Sequence, residues 1–223
     1  MKISKAKHFW TWFQKNNKTY LELPRGTKEE LIYYMRELFA HLISYGKGVG
    51  AEIFWGLREE GDTPTVVFTT YGNCRHFRKC ETLVAKAPKI PGWNFIALQP
   101  PRKVDSFIEE DFGHLNIDPF NLWFEPPGDP GATNRVHLKV YAEMYTEFTE
   151  EFEQAVKAVV YNVLGEKVYA LEIQSVYLDN LLELSKEERV DLVNLQQLQE
   201  YVKLRELSTI VINGRGALED LKY

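Results

Sequence analysis

The sequence predicts an α+β fold: a mixed, mostly antiparallel sheet built from two ββαβ units, with helices packed on it and helical additions at both ends. Three observations lead to this fold class. The order strand, strand, helix, strand occurs twice, over residues 51–101 and 119–179. Patterns of helical period precede the first set and follow the second. The composition of the 223 residues, 44% hydrophobic and 26% charged, is that of an ordinary globular protein.

We therefore expect a single domain over residues 1–223. Its central sheet would have about six strands, with helices mainly on one face. The repeated order has two interpretations, an internal duplication or the chance recurrence of a common arrangement. Sequence identity between residues 51–101 and 119–179 is negligible, so the duplication concerns topology alone.

The amino-terminal segment predicts two helices. The first covers about residues 5–14, and three of its aromatic residues share one face while Trp10 lies to the side. These three residues are Phe9, Trp12 and Phe13. Thr27 and Glu30 have the spacing of a capping box, which opens a second helix that runs to about Ser44.

The first ββαβ set begins with two strand patterns, over residues 51–57 and 65–71, joined by turn-forming residues. A hairpin is the natural pairing for them. Asn73 is placed to cap a helix that Pro88 stops. A third strand pattern follows over residues 93–98.

The second set has strand patterns over residues 121–125 and 136–144, the latter with strict alternation of apolar and polar residues. Thr149 is placed to cap a helix that Gly165 ends. A third strand is predicted over residues 168–178.

A second capping box, Ser185 with Glu188, predicts a carboxy-terminal helix that runs to about Leu207. A short strand-like run, residues 209–212, follows it.

Composition excludes several classes of function. The net charge of −5 and the sequence pI near 5.6 argue against a dedicated nucleic-acid binder. No stretch approaches the about 18–20 apolar residues that span a bilayer. The amino terminus lacks the apolar core of a signal peptide, and Cys74 and Cys80 are predicted to be reduced structural thiols. We therefore expect a cytoplasmic protein that binds neither nucleic acid nor membrane.

The chain contains no catalytic or phosphate-binding signature that would identify an active site. No metal-ligand spacing organises its five histidines, so the sequence predicts no catalytic residue, no metal and no cofactor. The oligomeric state is left open.

A polar sheet face provides the best candidate binding site. Four side chains stand at steps of two along one predicted strand, so they share one face: His137, Lys139, Tyr141 and Glu143. Glu172 and Gln174 take comparable places on the strand predicted over residues 168–178. If the two strands are neighbours, these side chains form one patch. The alternative is an ordinary solvated sheet face.

Three motifs in order resemble an uncharacterised family of bacterial domains of unknown function, common among Bacteroidetes-type proteins. They are Phe9-Trp10-Thr11-Trp12-Phe13, the segment from Ala87-Pro88 through Gly92-Trp93 to Pro100, and Leu178-Asp179-Asn180. The resemblance extends to about residue 206. It departs at Leu182-Glu183-Leu184, where the family has a glycine in the middle. The resemblance implies a fold and a bacterial origin and carries no activity.

The third motif draws attention to Asp179 and Asn180, which end the long strand. Either residue could cap the turn that follows, and the alternative is a contact with a ligand.

Two functions follow from these patterns. The first is a non-enzymatic module that binds another protein or regulates it, through the candidate residues His137, Tyr141, Glu172, Asp179 and Asn180. Tyr33, Tyr34 and Tyr45 form an alternative contact surface, because tyrosine is favoured at interfaces. The second function is a small hydrolase-type enzyme that uses His137, Glu172 or Asp179 in a cleft between the two ββαβ halves.

Overall fold

The computed structural model describes residues 4–55, 63–102, 115, 117–126, 135–143, 149–208, 210–212 and 218–220. The chain divides into two compact units, Met1–Pro100 and Pro101–Tyr223. Each unit contains one of the two predicted ββαβ sets. Their strands form separate sheets, so the α+β class is confirmed but the prediction of one central sheet is wrong.

The described residues of the first unit form three helices and three strands. In chain order they are α1 (Lys5–Glu22), α2 (Lys28–Tyr45), β1 (Gly50–Phe54), β2 (Thr65–Thr69), α3 (Phe77–Ala85) and β3 (Asn94–Ala97). β1 and β2 pair antiparallel, as the predicted hairpin requires, and β2 pairs with β3 in parallel across the helical crossover.

Helix α1 is eight residues longer than predicted, and it buries a different aromatic. Trp10 lies in the core, with its Nε1 donating to the carbonyl of Leu83 at 2.8 Å, whereas Trp12 is only half-buried. The additional turns are held by Tyr20, which is fully buried and donates its hydroxyl to the carbonyl of Tyr34. Tertiary packing therefore extends the helix beyond its local apolar pattern.

The predicted helix caps of this unit are confirmed. The Thr27 hydroxyl accepts from the Glu30 amide at 3.2 Å, and the Glu30 carboxylate accepts from the Thr27 amide at 2.8 Å. Asn73 accepts from the amide of Arg75 and opens a 3-10 turn, Cys74–His76, that leads into α3.

Among its described residues, the second unit forms six strands and two helices. They are β4 (Leu122–Phe124), β5 (Val136–Ala142), α4 (Glu150–Glu172), β6 (Ile173–Asn180), β7 (Val193–Asn194), α5 (Leu198–Ser208), β8 (Ile210–Ile212) and β9 (Leu218–Asp220). The main sheet has the order β6-β5-β4-β7, while β8 and β9 form a separate antiparallel pair. β4 and β5 pair antiparallel and β5 and β6 in parallel, which repeats the arrangement of β1, β2 and β3. The internal duplication itself stays a hypothesis.

Helix α4 covers one face of the main sheet and forms the core of the second unit with it. Thr149 caps the helix as predicted, accepting from the amide of Phe152 at 3.2 Å. The buried stripe includes Val159 and Val160, which belong to one cluster with Leu138 of β5. Because apolar residues alternate along β5, the opposite face of the sheet carries its polar side chains.

Gly165 interrupts α4 but does not end it. Its torsion angles, φ 74° and ψ 162°, are not helical, yet the chain returns to helix until Glu172. The strand predicted over residues 168–178 therefore begins only at Ile173. Val168 and Tyr169, read from the sequence as strand residues, pack against the core from the second half of the helix.

The prediction that one continuous helix runs from the Ser185–Glu188 capping box to about Leu207 is also wrong. The Ser185–Glu188 capping box forms, but it opens only a 3-10 turn, Glu188–Asp191. The chain then extends as β7 to pair with β4 before α5 begins at Leu198. Pairing with a distant strand overrides the local helical pattern here.

Candidate functional site

The side of the main sheet opposite α4 carries the candidate site, and we call it the polar face. Its members on β5 are His137, Lys139 and Tyr141, as the alternation predicted. On β6 its members are Ser175, Tyr177 and Asp179, which stand opposite those three residues in the same order. The prediction that two polar strands lie side by side is thus confirmed, with different partners on the second strand.

The partners differ because the parallel register shifts by one residue near the start of β6. Val136 stands opposite Ile173 and His137 opposite Ser175, so Gln174 is the extra residue of a bulge. The expectation that Glu172 lies on this strand is wrong. Glu172 is the last residue of α4 and is only 5% exposed.

An ion pair links the two strands. The Nζ atom of Lys139 lies 2.7 Å from Oδ2 of Asp179 and 4.9 Å from the centroid of the Tyr141 ring. The carboxylate raises the pKa of Lys139 well above its ordinary value, and the ammonium lowers the pKa of Asp179. Both groups therefore remain charged at neutral pH, as a salt bridge requires.

Tyr141 lies beneath this ion pair and is only 4% exposed. Its hydroxyl donates to the Glu125 carboxylate at 3.3 Å. This candidate residue thus supports its neighbours from below, and an approaching molecule would meet Lys139 and Asp179 first, since their side chains are 41% and 39% exposed.

His137 is held from two sides. Its Nδ1 lies 2.6 Å from Oγ of Ser175, and its ring stacks on Tyr177 with centroids 6.1 Å apart. Tyr177 is itself 55% exposed. The sequence did not single out Ser175 or Tyr177, because their place opposite β5 depends on the register shift.

These residues border an open groove of about 660 Å³. It is lined by Glu125, Pro126, His137, Lys139, Tyr177, Leu178 and Asp179. We refer to it as the groove.

Asn180 has a structural role at the end of β6. Its side-chain oxygen accepts from the amide of Leu182 at 3.0 Å and caps a 3-10 turn, Leu181–Glu183. Asp179 contributes by accepting from the Asn180 amide at 2.9 Å. Of the two alternatives for this pair, the cap is present in the structure.

A second, smaller concavity adjoins the polar face where β4 and β5 meet the segment that follows β6. We call it the cavity; its volume is about 330 Å³. It is lined by Asn121, Trp123, Glu143, Leu181, Arg189 and Leu192. No pattern in the sequence indicates this cavity, because residues 181–192 fall partly within a predicted helix.

The alternative tyrosine surface belongs to the first unit. Tyr33 is 59% exposed, and the Tyr34 backbone carbonyl accepts a bond from Tyr20. The Tyr45 hydroxyl donates to the carbonyl of Lys79, so this residue serves internal packing. Cys74 and Cys80 are both in the reduced form, the first exposed and the second buried.

Within the part of the chain that the structure describes, no group of three or more His, Cys, Asp or Glu residues could hold a metal ion. None of the helices in this part combines the length and the apolar character that crossing a membrane requires.

Comparison of the chain with protein-family models, with curated proteins and with solved structures found no match in any of the three. The resemblance to a bacterial family therefore stays a prediction.

Proposed function

We propose that the protein is a binding module for another protein and that the groove is its contact surface. The observation that supports this most directly is the exposed Tyr177, stacked on His137 and carried by a paired strand. Tyrosine offers a large amphipathic contact area and loses little conformational entropy on binding, so it is enriched at protein interfaces.

The electrostatics of the groove favour binding over proton transfer. A general acid or base works best when its pKa lies near the operating pH. Lys139 and Asp179 instead stabilise each other's charged forms, because each shifts the pKa of the other away from neutrality. A fixed pair of opposite charges gives orientation to a polar partner.

Hydrogen bonds beneath and beside the groove preorganise its side chains for binding. His137 is hydrogen-bonded to Ser175 of the neighbouring strand, and Tyr141 to Glu125, which directly follows β4, so these side chains are already ordered. A surface whose rotamers are fixed before binding loses less entropy when the partner arrives. We place this activity in the cytoplasm, which the free exposed thiol of Cys74 favours.

Site-specific photo-crosslinking tests the proposal. A benzoylphenylalanine at position 177 should crosslink to a defined protein in cells, while the same group at Val190, which is 79% exposed and outside the groove, should not. The captured protein is then purified, and its affinity for the wild-type chain is measured by calorimetry.

Substitution variants complete that test. Tyr177→Ser and Lys139→Glu should each weaken the complex by about 30-fold, which corresponds to the about 2 kcal/mol of an interface hot spot. Val190→Ser is the matched control and should leave the affinity unchanged. Equal affinities for all four chains would refute the groove as the contact surface.

One observation favours a hydrolase as the second candidate. The Oγ of Ser175 lies 2.6 Å from Nδ1 of His137, within the reach that a serine nucleophile and its general base require. Hydrolysis of a small activated ester, compared between the wild type and Ser175→Ala, separates the two candidates. A rate that falls to the background level in Ser175→Ala would support the hydrolase.

A further inference from the structure

The cavity combines three kinds of surface in a small volume. Arg189 supplies a positive charge, Glu143 a negative charge, and Trp123 with Leu181 and Leu192 an apolar wall. Among the ion pairs of the described residues, none joins Arg189 to Glu143. Two opposite charges that share a cavity without pairing can each accept a group of a ligand.

The main sheet places the aromatic wall. Leu122 and Phe124 point into the core, so Trp123 between them points to the opposite side. Trp123 stands opposite Tyr141 of β5 on one side and Asn194 of β7 on the other. Its half-buried indole is therefore held by paired strands on both sides.

Arg189 is positioned by its own segment. It lies in the 3-10 turn that the Ser185–Glu188 box opens, and its Nε donates to the carbonyl of Leu184 at 3.2 Å. The two terminal nitrogens of the guanidinium have no partner among the described residues. A planar guanidinium with its terminal nitrogens available matches a carboxylate, which it binds through two parallel hydrogen bonds.

We infer that the cavity binds a free α-amino acid with an apolar side chain. Arg189 takes the carboxylate, Glu143 faces the ammonium group, and the side chain packs against Trp123, Leu181 and Leu192. The volume of about 330 Å³ lies at the small end of ligand sites, which suits a single amino acid. This inference is independent of the proposed function, because none of the six lining residues borders the groove.

Calorimetric titration of the full chain with four compounds tests the inference. L-Leucine and L-phenylalanine carry all three recognised groups, leucinamide lacks the carboxylate, and isocaproate lacks the ammonium group. Both amino acids should bind, and the two analogues should each bind at least about tenfold more weakly than leucine, because each leaves one charged side chain, Arg189 or Glu143, without its partner. Failure of both amino acids to bind up to their solubility limit would overturn the inference, as would equal affinities for leucine and either analogue.

Two substitutions test which residue of the cavity binds which charged group of the amino acid. Arg189→Gln should remove the preference for leucine over leucinamide, and Glu143→Gln the preference for leucine over isocaproate. Lys186→Gln, an exposed change in the same segment, is the control and should keep both preferences. Circular dichroism checks that each variant is folded. If Arg189→Gln does not fold, the ligand preference of Glu143→Gln alone tests the assignment. Unchanged preferences in a folded variant would overturn the assignment.

Discussion

Replacing Gly165 with alanine sets two physical effects against each other. In an ordinary helix the change would stabilise the protein by about 1 kcal/mol, since alanine has the higher helix propensity. Gly165, however, has φ 74° and ψ 162°, a backbone region that is almost restricted to glycine. Holding another residue there costs about 1–3 kcal/mol.

The net effect follows from these magnitudes. Alanine also restricts the unfolded chain, which offsets about 0.4–1 kcal/mol of that cost. We therefore expect Gly165→Ala to lower the free energy of unfolding by up to about 2.6 kcal/mol, with a midpoint of about 1.3 kcal/mol. The site is buried, so any crowding by the new methyl group would add to the loss.

Equilibrium unfolding in urea, followed by circular dichroism, measures this change. Gly46→Ala is the matched control, because Gly46 has an extended φ of −174° and a Cβ there would meet Lys79 Cδ at an ordinary 3.4 Å. It should cause no loss of stability. A Gly165→Ala protein as stable as the Gly46→Ala protein would refute the conclusion that the interruption of α4 needs glycine.

Three other substitutions test other parts of the second unit. Asp179→Asn should cost about 0.2–1 kcal/mol at pH 7, since its partner Lys139 is also partly exposed. Because folding lowers the pKa of Asp179, the stability difference between wild type and Asp179→Asn should be fully present above the unfolded pKa of about 3.9. It should disappear as the pH falls through the lower pKa of the folded state. Urea midpoints of both proteins, measured from neutral to acidic pH, check this. Thr149→Ala should lower the free energy of unfolding by about 1 kcal/mol, because it removes the cap of α4. Thr149→Ser keeps the capping hydroxyl and should retain most of the wild-type stability in the same assay. Leu138→Ala should cost about 2–5 kcal/mol in chemical unfolding, because Leu138 is buried at the centre of the core, and a change below about 1 kcal/mol would contradict that placement.

Local signals in the sequence predicted local structure well. The caps at Thr27, Asn73 and Thr149 all formed, because their hydrogen bonds close within three residues and depend on nothing distant. The alternation along β5 also predicted which side chains share the polar face. In each case the deciding interaction lies within the segment that carries the pattern.

The rest depended on contacts between distant segments. The bulge at Gln174 decided that Ser175 and Tyr177 stand opposite β5, and no pattern within β6 shows a one-residue shift. The pairing of β7 with β4 converted a predicted helix into a short strand and thereby created one wall of the cavity. Of the candidate site, the β5 residues and Asp179 were therefore predictable, whereas the groove and the cavity required the tertiary structure.

The attachment of the segment that forms this wall of the cavity also determines how the segment can move. Residues 182–194 contain no buried member, and β7 fastens their far end to β4 through only two residue pairs. Detaching this segment would uncover Val193, which packs against the core, but it exposes less apolar surface than unfolding the sheet and so requires less free energy. Its amides should exchange with solvent through local opening, while those of β5 wait for global unfolding. We therefore expect the segment that lines the cavity to open locally while the core beneath it stays folded.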